Sequence, residues 1–131
     1  MSGIKETLLQ DKFCCETVGI ELLEMAPGRA KTRLKIGPQH LNGLGIVQGG
    51  VLFTLADFAL AAAANAHGNA AVLINSSISY AKAVSEGTLL AEAEEEAINP
   101  KLATYRIRIT DQDGELLAVV QSTVYRKKQQ L

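Results

Sequence analysis

Gln39-His40-Leu41-Asn42-Gly43-Leu44-Gly45-Ile46-Val47-Gln48-Gly49-Gly50 leads into Val51–Asn65, and this run decides how the chain is built. After the paired glycines, Val51, Leu52, Phe53, Leu55, Ala56, Phe58, Ala59, Leu60 and Ala61 to Ala64 leave the segment no polar face. A helix that is apolar all round is expected to be buried on all sides. It is too short in apolar residues to span a bilayer, which takes about 20, and Asp57 interrupts it. The spacing therefore predicts a central core helix wrapped by other elements, with one carboxylate inside it.

A buried carboxylate is costly unless it is paired, protonated or functional. The plain alternative is an Asp that caps or hydrogen-bonds nearby backbone. Gly49-Gly50 at the helix start favours function. Several N–H groups there are unpaired and open to close approach, and the helix dipole makes the end positive. Such amides suit an oxyanion or a polarised carbonyl. Gly49 and Asp57 lie eight residues apart, which is roughly 12 Å along a helix. A carboxylate and an oxyanion donor must both reach one reacting centre. One copy of the helix cannot supply both. Two antiparallel copies about a twofold axis can, with Asp57 of one facing Gly49 of the other, so an active site here implies a dimer.

The string His40-x-Asn42, Gly45-x-x-Gln48-Gly49-Gly50 and Leu55-Ala56-Asp57 resembles the signature of hotdog-fold thioesterases of the phenylacetate-degradation PaaI type. Ile78-Ser79-Tyr80 is similar to the strand that follows the helix in that family. The resemblance covers most of the chain. It implies an α+β hotdog fold, an antiparallel sheet around one long helix, and an acyl-CoA thioesterase with active sites shared across a dimer interface. Gln48 stands where the family usually has His. Leu73 lies near a position where many members carry Ser or Thr.

At 131 residues the chain is expected to form one domain, residues 1–131, with a single substantial core. A hydrophobic fraction of 47% with mean hydropathy +0.10 fits surface buried in a dimer or a dimer of dimers. A formal net charge of −1 gives no electrostatic reason to expect nucleic acid or an anionic membrane as partner. Cys14 and Cys15 are adjacent, unsuited to a structural disulfide and without metal spacing, so they read as thiols in a reducing compartment. The N-terminal residues lack the basic and apolar regions of an export signal, and a cytoplasmic location is expected.

Along the chain, Leu8, Leu9 and Phe13 suggest a short amphipathic helix over Glu6–Phe13. Two strand-like runs, Val18 to Ala26 and Arg29 to Ile36, flank Pro27-Gly28. In the second, Ala30, Thr32, Leu34 and Ile36 alternate with a basic row that reads as a solvated sheet face. His67-Gly68-Asn69 stops the helix. Strands are then expected at Ala71–Tyr80, Thr88–Ile98, Leu102–Thr110 and Glu115–Tyr125, with Arg126-Lys127-Lys128 as a basic tail. A three-residue turn at Asn99-Pro100-Lys101 would set Glu94 against Arg106 and Glu92 against Arg108. Two strands, one helix and four strands in meander predict α+β with a largely antiparallel sheet. Without βαβ alternation, Gly43-x-Gly45 is not a dinucleotide fingerprint.

No G-x-S-x-G occurs, and His40 and His67 are too few and too separated for a zinc site, so no metal is expected. Thioester hydrolysis needs an oxyanion donor and a carboxylate nucleophile or base. The Gly49 amide takes the first role and Asp57 of the facing subunit the second. Asn42 can position water or the leaving group. Gln48 can hold the loop but cannot relay a proton as His does. Gly50 and His40 are candidates for substrate binding, His40 either orienting Asn42 or the loop or serving structure alone. Phe53, Leu60 and Leu73 are candidates to line the acyl pocket. Lys82 and Arg126 are candidates for the phosphates of coenzyme A, which enters as part of the substrate; no other cofactor is expected. The competing readings are a hotdog module that binds acyl-CoA without hydrolysing it and, last, a hydratase, which would need an Asp–His or Glu–His pair.

Overall fold

A computed structural model describes residues 2–131. Helix α1 (Ser2–Leu9) is followed by a π-helical turn at Phe13–Val18, strands β1 (Glu21–Ala26) and β2 (Arg29–Lys35), and helix α2 (Gly49–Asn65). Strands β3 (Asn69–Tyr80), β4 (Thr88–Ile98), β5 (Leu102–Asp111) and β6 (Leu116–Gln130) complete the fold. All six strands form one antiparallel sheet in the order β1-β2-β4-β5-β6-β3. Its inner face packs on α2 through Ala30, Leu34, Leu89, Ala91, Ile107, Ile109, Val120 and Val124. Thr32, fully buried among them, satisfies its hydroxyl by donating to the Leu55 carbonyl at 3.1 Å. No described helix is long and apolar enough to cross a membrane.

Helix α2 begins at Gly49, the first of the paired glycines. Gln48 is its N-cap, and the end is tied down by Asn65, whose amide donates to Ala61 O and whose Oδ1 accepts from the Ala71 N–H. Gly68, at φ +101°, then reverses the chain into β3, a conformation that favours glycine. The expectation of burial on all sides is only partly met. Leu52, Leu55, Ala56, Phe58, Ala59 and Leu60 are buried, but Gly50, Phe53, Thr54, Asp57 and Ala61 form a half-covered or exposed stripe at helical spacing. The sheet curls round one side of the rod and leaves that stripe open.

Other boundaries also differ from the sequence reading. The opening helix spans Ser2–Leu9 rather than Glu6–Phe13, because Asp11 starts a separate turn by accepting the Cys14 N–H at 2.8 Å. That π-helical turn takes Val18 out of β1, which starts at Glu21. The four later strands do not run as one meander. β4, β5 and β6 do, but β4 pairs with β2, where its acidic row meets Arg29 and Lys31, so β3 is left to pair with β6 at the opposite edge. The basic tail is not a tail: Ala71 pairs with Arg126 and Asn69 with Gln130, extending β6 to match the twelve residues of β3. The register of Glu92 opposite Arg108 and Glu94 opposite Arg106 is as expected. A bulge between Glu95 and Ala97 brings Glu96 to 3.5 Å from Arg106, which becomes the ion pair.

Candidate active site

Two clefts flank opposite ends of the open stripe of α2. The larger, of about 350 Å³, is lined by Asn42, Val47, Gly49, Leu52, Tyr80 and Lys82 among others. It lies against the N-terminus of the helix. Asn42 shapes the approach loop, its Oδ1 accepting from Leu44 N–H at 2.8 Å and Ile46 N–H at 3.3 Å. Gln48 Oε1 accepts from the Gly50 N–H, so that amide is occupied by the cap. The Val51 N–H is taken by the Gln48 carbonyl. The Gly49 N–H has no acceptor among the described residues, and Gly49 lines the cleft. Tyr80 lines the same cleft, and its hydroxyl donates to the Gly49 carbonyl at 2.8 Å.

The smaller cleft, of about 100 Å³, is lined by Asp57, Leu60, Ala61, Ala64, Ala71, Leu73 and Val124. Its walls are apolar apart from Asp57. Burial, with the Asp11 carboxylate adding like charge, holds the Asp57 carboxyl above the usual carboxylate range. No hydrogen bond from a described residue offsets this, and its oxygens are not sealed from solvent. A carboxylate placed so is poorly solvated, unpaired and open to a cleft, which are the conditions for a general base. In one chain the Gly49 and Asp57 clefts share no lining residue.

The thioesterase superfamily model matches residues 44–118, a stretch running from the approach loop through Asp57 to β6. The chain belongs to the thioesterase superfamily. It is 31% identical over 120 residues to the acyl-coenzyme A thioesterase PaaI of Escherichia coli K12, covering 91% of this chain and 86% of the relative. The solved structure of E. coli PaaI superposes with a TM-score of 0.92 at 28% identity, covering 98% of this chain and 94% of the other. A thioesterase of Streptococcus pneumoniae TIGR4 solved with coenzyme A gives a TM-score of 0.81 at 26% identity, over 86% and 91% of the two chains. The molecule is a PaaI-type hotdog thioesterase, and an enzyme.

The remaining candidates of this thioesterase divide by position. His40 is 3% exposed, with Nε2 2.7 Å from the Val18 carbonyl and Nδ1 accepting the Gly37 N–H at 2.9 Å. Its carbonyl accepts the Gln48 N–H. Both ring nitrogens are used, so the imidazole ties the approach loop to the π-helical turn and is not turned to the cleft. Lys82 lines the Gly49 cleft, its ammonium 2.6 Å from Glu115. Arg126 lines neither cleft; its guanidinium donates to the Asn99 carbonyl at 2.9 Å. Phe53 lies on the open stripe outside both clefts, whereas Leu60 and Leu73 line the Asp57 cleft.

His67, read as a helix-end residue, in addition meets Glu95 at 2.7 Å, and Glu95 also accepts the Tyr105 hydroxyl. Cys14 and Cys15 are free thiols, and burial pushes Cys14 up to about 12, which makes it unreactive. Two residues that bear on the site, Tyr80 in the larger cleft and Asp11 through its charge on Asp57, were not among the site candidates read from sequence. Tyr80 had a signal, since it ends the strand that resembles the family's. Asp11 had none, because nothing local links it to a helix 46 positions on.

Proposed function

We propose that this thioesterase hydrolyses an acyl-CoA or arylacyl-CoA to the free acid and coenzyme A, at sites each made by two subunits of a homodimer. Asp57 of one subunit takes a proton from water, and the hydroxide attacks the thioester carbonyl. The Gly49 N–H of the other subunit stabilises the oxyanion. The tetrahedral intermediate then expels the CoA thiolate, which takes the proton back from Asp57. The observation that carries this reading is Asp57 itself: an unpaired, desolvated carboxylate opening onto an apolar cleft, on a helix whose other end offers a free amide. Asn42 lines the same cleft as Gly49 and is suited to orient the thioester.

Two features favour the dimer. β3 is an edge strand with unpaired backbone along one side and with Val72, Leu73 and Ile74 all more than a third exposed. Exposed apolar edges are templates for strand pairing. The open stripe of α2, with Asp57 at its middle, needs the same kind of cover. A twofold pairing β3 with β3 would set the two α2 rods antiparallel and bring Asp57 toward Gly49 of the twin.

Lys82 is the better of the two basic candidates for CoA phosphates, since it alone borders a cleft. No cofactor beyond the CoA of the substrate enters the reaction, and a cytoplasmic enzyme fits that substrate.

The test is release of free thiol over a panel of short, medium and aryl acyl-CoAs. Turnover is expected to rise with pH as Asp57 ionises, with its acid limb above the roughly 3.9 of an ordinary Asp. Asp11→Asn should move that limb to lower pH by removing the like charge. The second reading, a non-hydrolytic acyl-CoA-binding module, is favoured by Gln48, which caps the helix but cannot relay protons. Calorimetric binding with no thiol release from any substrate would select it.

A further inference from the structure

Gly49 can be no other residue while Tyr80 stays where it is. A Cβ added at Gly49 would sit 2.8 Å from the Tyr80 hydroxyl oxygen and 3.0 Å from the ring carbon bearing it. The same hydroxyl donates to the Gly49 carbonyl at 2.8 Å. The helix thus begins with its first peptide held between its own ladder and a phenol reaching from the end of β3. Glycine has the widest backbone freedom of any residue, and at a helix end its peptide is held by few bonds. The Gly49 N–H belongs to the preceding peptide, whose Gln48 carbonyl accepts the Val51 N–H, so Gly49 sits between two tied peptides and loses one of its ties without the phenol. Yet Tyr80 is 53% exposed, so burial of its ring does not account for its placement over Gly49.

We infer that Tyr80 is a positioning residue for hydrolysis: by holding the Gly49 carbonyl, its hydroxyl fixes Gly49 from the C-terminal side of its Cα, so that the N–H on the other side keeps its aim where the oxyanion forms. This rests on Gly49 being the oxyanion donor. Donors act through preorganisation and count most when charge has developed, so a loosened amide should weaken the transition state more than the bound substrate. Tyr80 does not touch the reacting atoms in this role and transfers no proton.

The test is Tyr80→Phe, which keeps the ring and removes the hydrogen bond. kcat for the best acyl-CoA is expected to fall about tenfold, a fraction of the ~10²–10³ lost with a whole oxyanion donor. KM should stay within about twofold, and so should affinity for an unreactive acyl-CoA thioether. Affinity for a trifluoromethyl ketone analogue of acyl-CoA, which carries the tetrahedral oxygen, should fall in parallel with kcat. A kcat within about twofold of wild type would overturn the inference, as would a rise in KM with kcat unchanged. Wild-type protein that releases no thiol would remove the underlying reading as well. Activity abolished by Asp57→Asn but indifferent to Tyr80→Phe would remove only the role of Tyr80.

Discussion

Asp57→Asn should abolish thiol release while leaving a folded protein that is no less stable than the wild type. The amide has nearly the shape of the carboxyl group but cannot accept the proton of water, so the loss is expected to reach at least the ~10²–10⁴ typical of a general base. Asp57→Ala should lose activity to the same degree. The stability expectation follows from the raised pKa. A carboxyl group that binds its proton more tightly folded than unfolded costs nothing below its unfolded value and destabilises the fold as pH rises through the folded value. At neutral pH the ionised Asp57 therefore opposes folding, and Asn removes that opposition. A thermal midpoint at or above wild type, with activity gone, would be the pattern of a residue kept for chemistry. Unchanged turnover in either variant would take Asp57 out of the mechanism.

Gly49→Ala is expected to be nearly as damaging by a different route. The new methyl cannot coexist with the Tyr80 hydroxyl at 2.8 Å. Because that ring is half exposed it can swing aside, so the fold should survive with a modest drop in midpoint. Gly49 would lose the tie at its carbonyl and with it the aim of its N–H, and kcat should fall about 10²-fold, in the range for loss of an oxyanion donor. Thiol-release kinetics with circular dichroism on the same samples separate the two effects. Wild-type kcat in this variant would mean that Gly49 needs neither its bareness nor its phenolic neighbour.

Much of the fold was legible because its signals are local. The apolar rod after Gly49-Gly50, the alternation of Ala30, Thr32 and Leu34 with basic residues, and the turn setting Glu92 against Arg108 each depend on residues close in sequence. The placement of β3 was not legible. Its pairing with β6 is decided by β4 having a better partner in β2, a competition between segments far apart. The basic run Arg126-Lys127-Lys128 reads as a tail for a similar reason, since only the length of β3 opposite it makes it a strand.

At the site, the separation of Gly49 and Asp57 followed from helix geometry alone, and the two clefts lie apart as that separation requires. The use of His40 was left open by its residue type, and only the Val18 carbonyl and Gly37 amide around it decide its place as a loop tie. The like charge that Asp11 adds at Asp57 acts across the fold and leaves no trace in the local pattern.

The central claim is that one complete site needs two chains, and complementation between dead variants tests it most directly. Asp57→Asn and Gly49→Ala subunits, co-expressed with different tags, can be purified as the mixed dimer. That dimer holds one site with both lesions and one with neither, so it should recover about half the wild-type turnover per dimer. A mixed dimer as inactive as its parents would contradict the account.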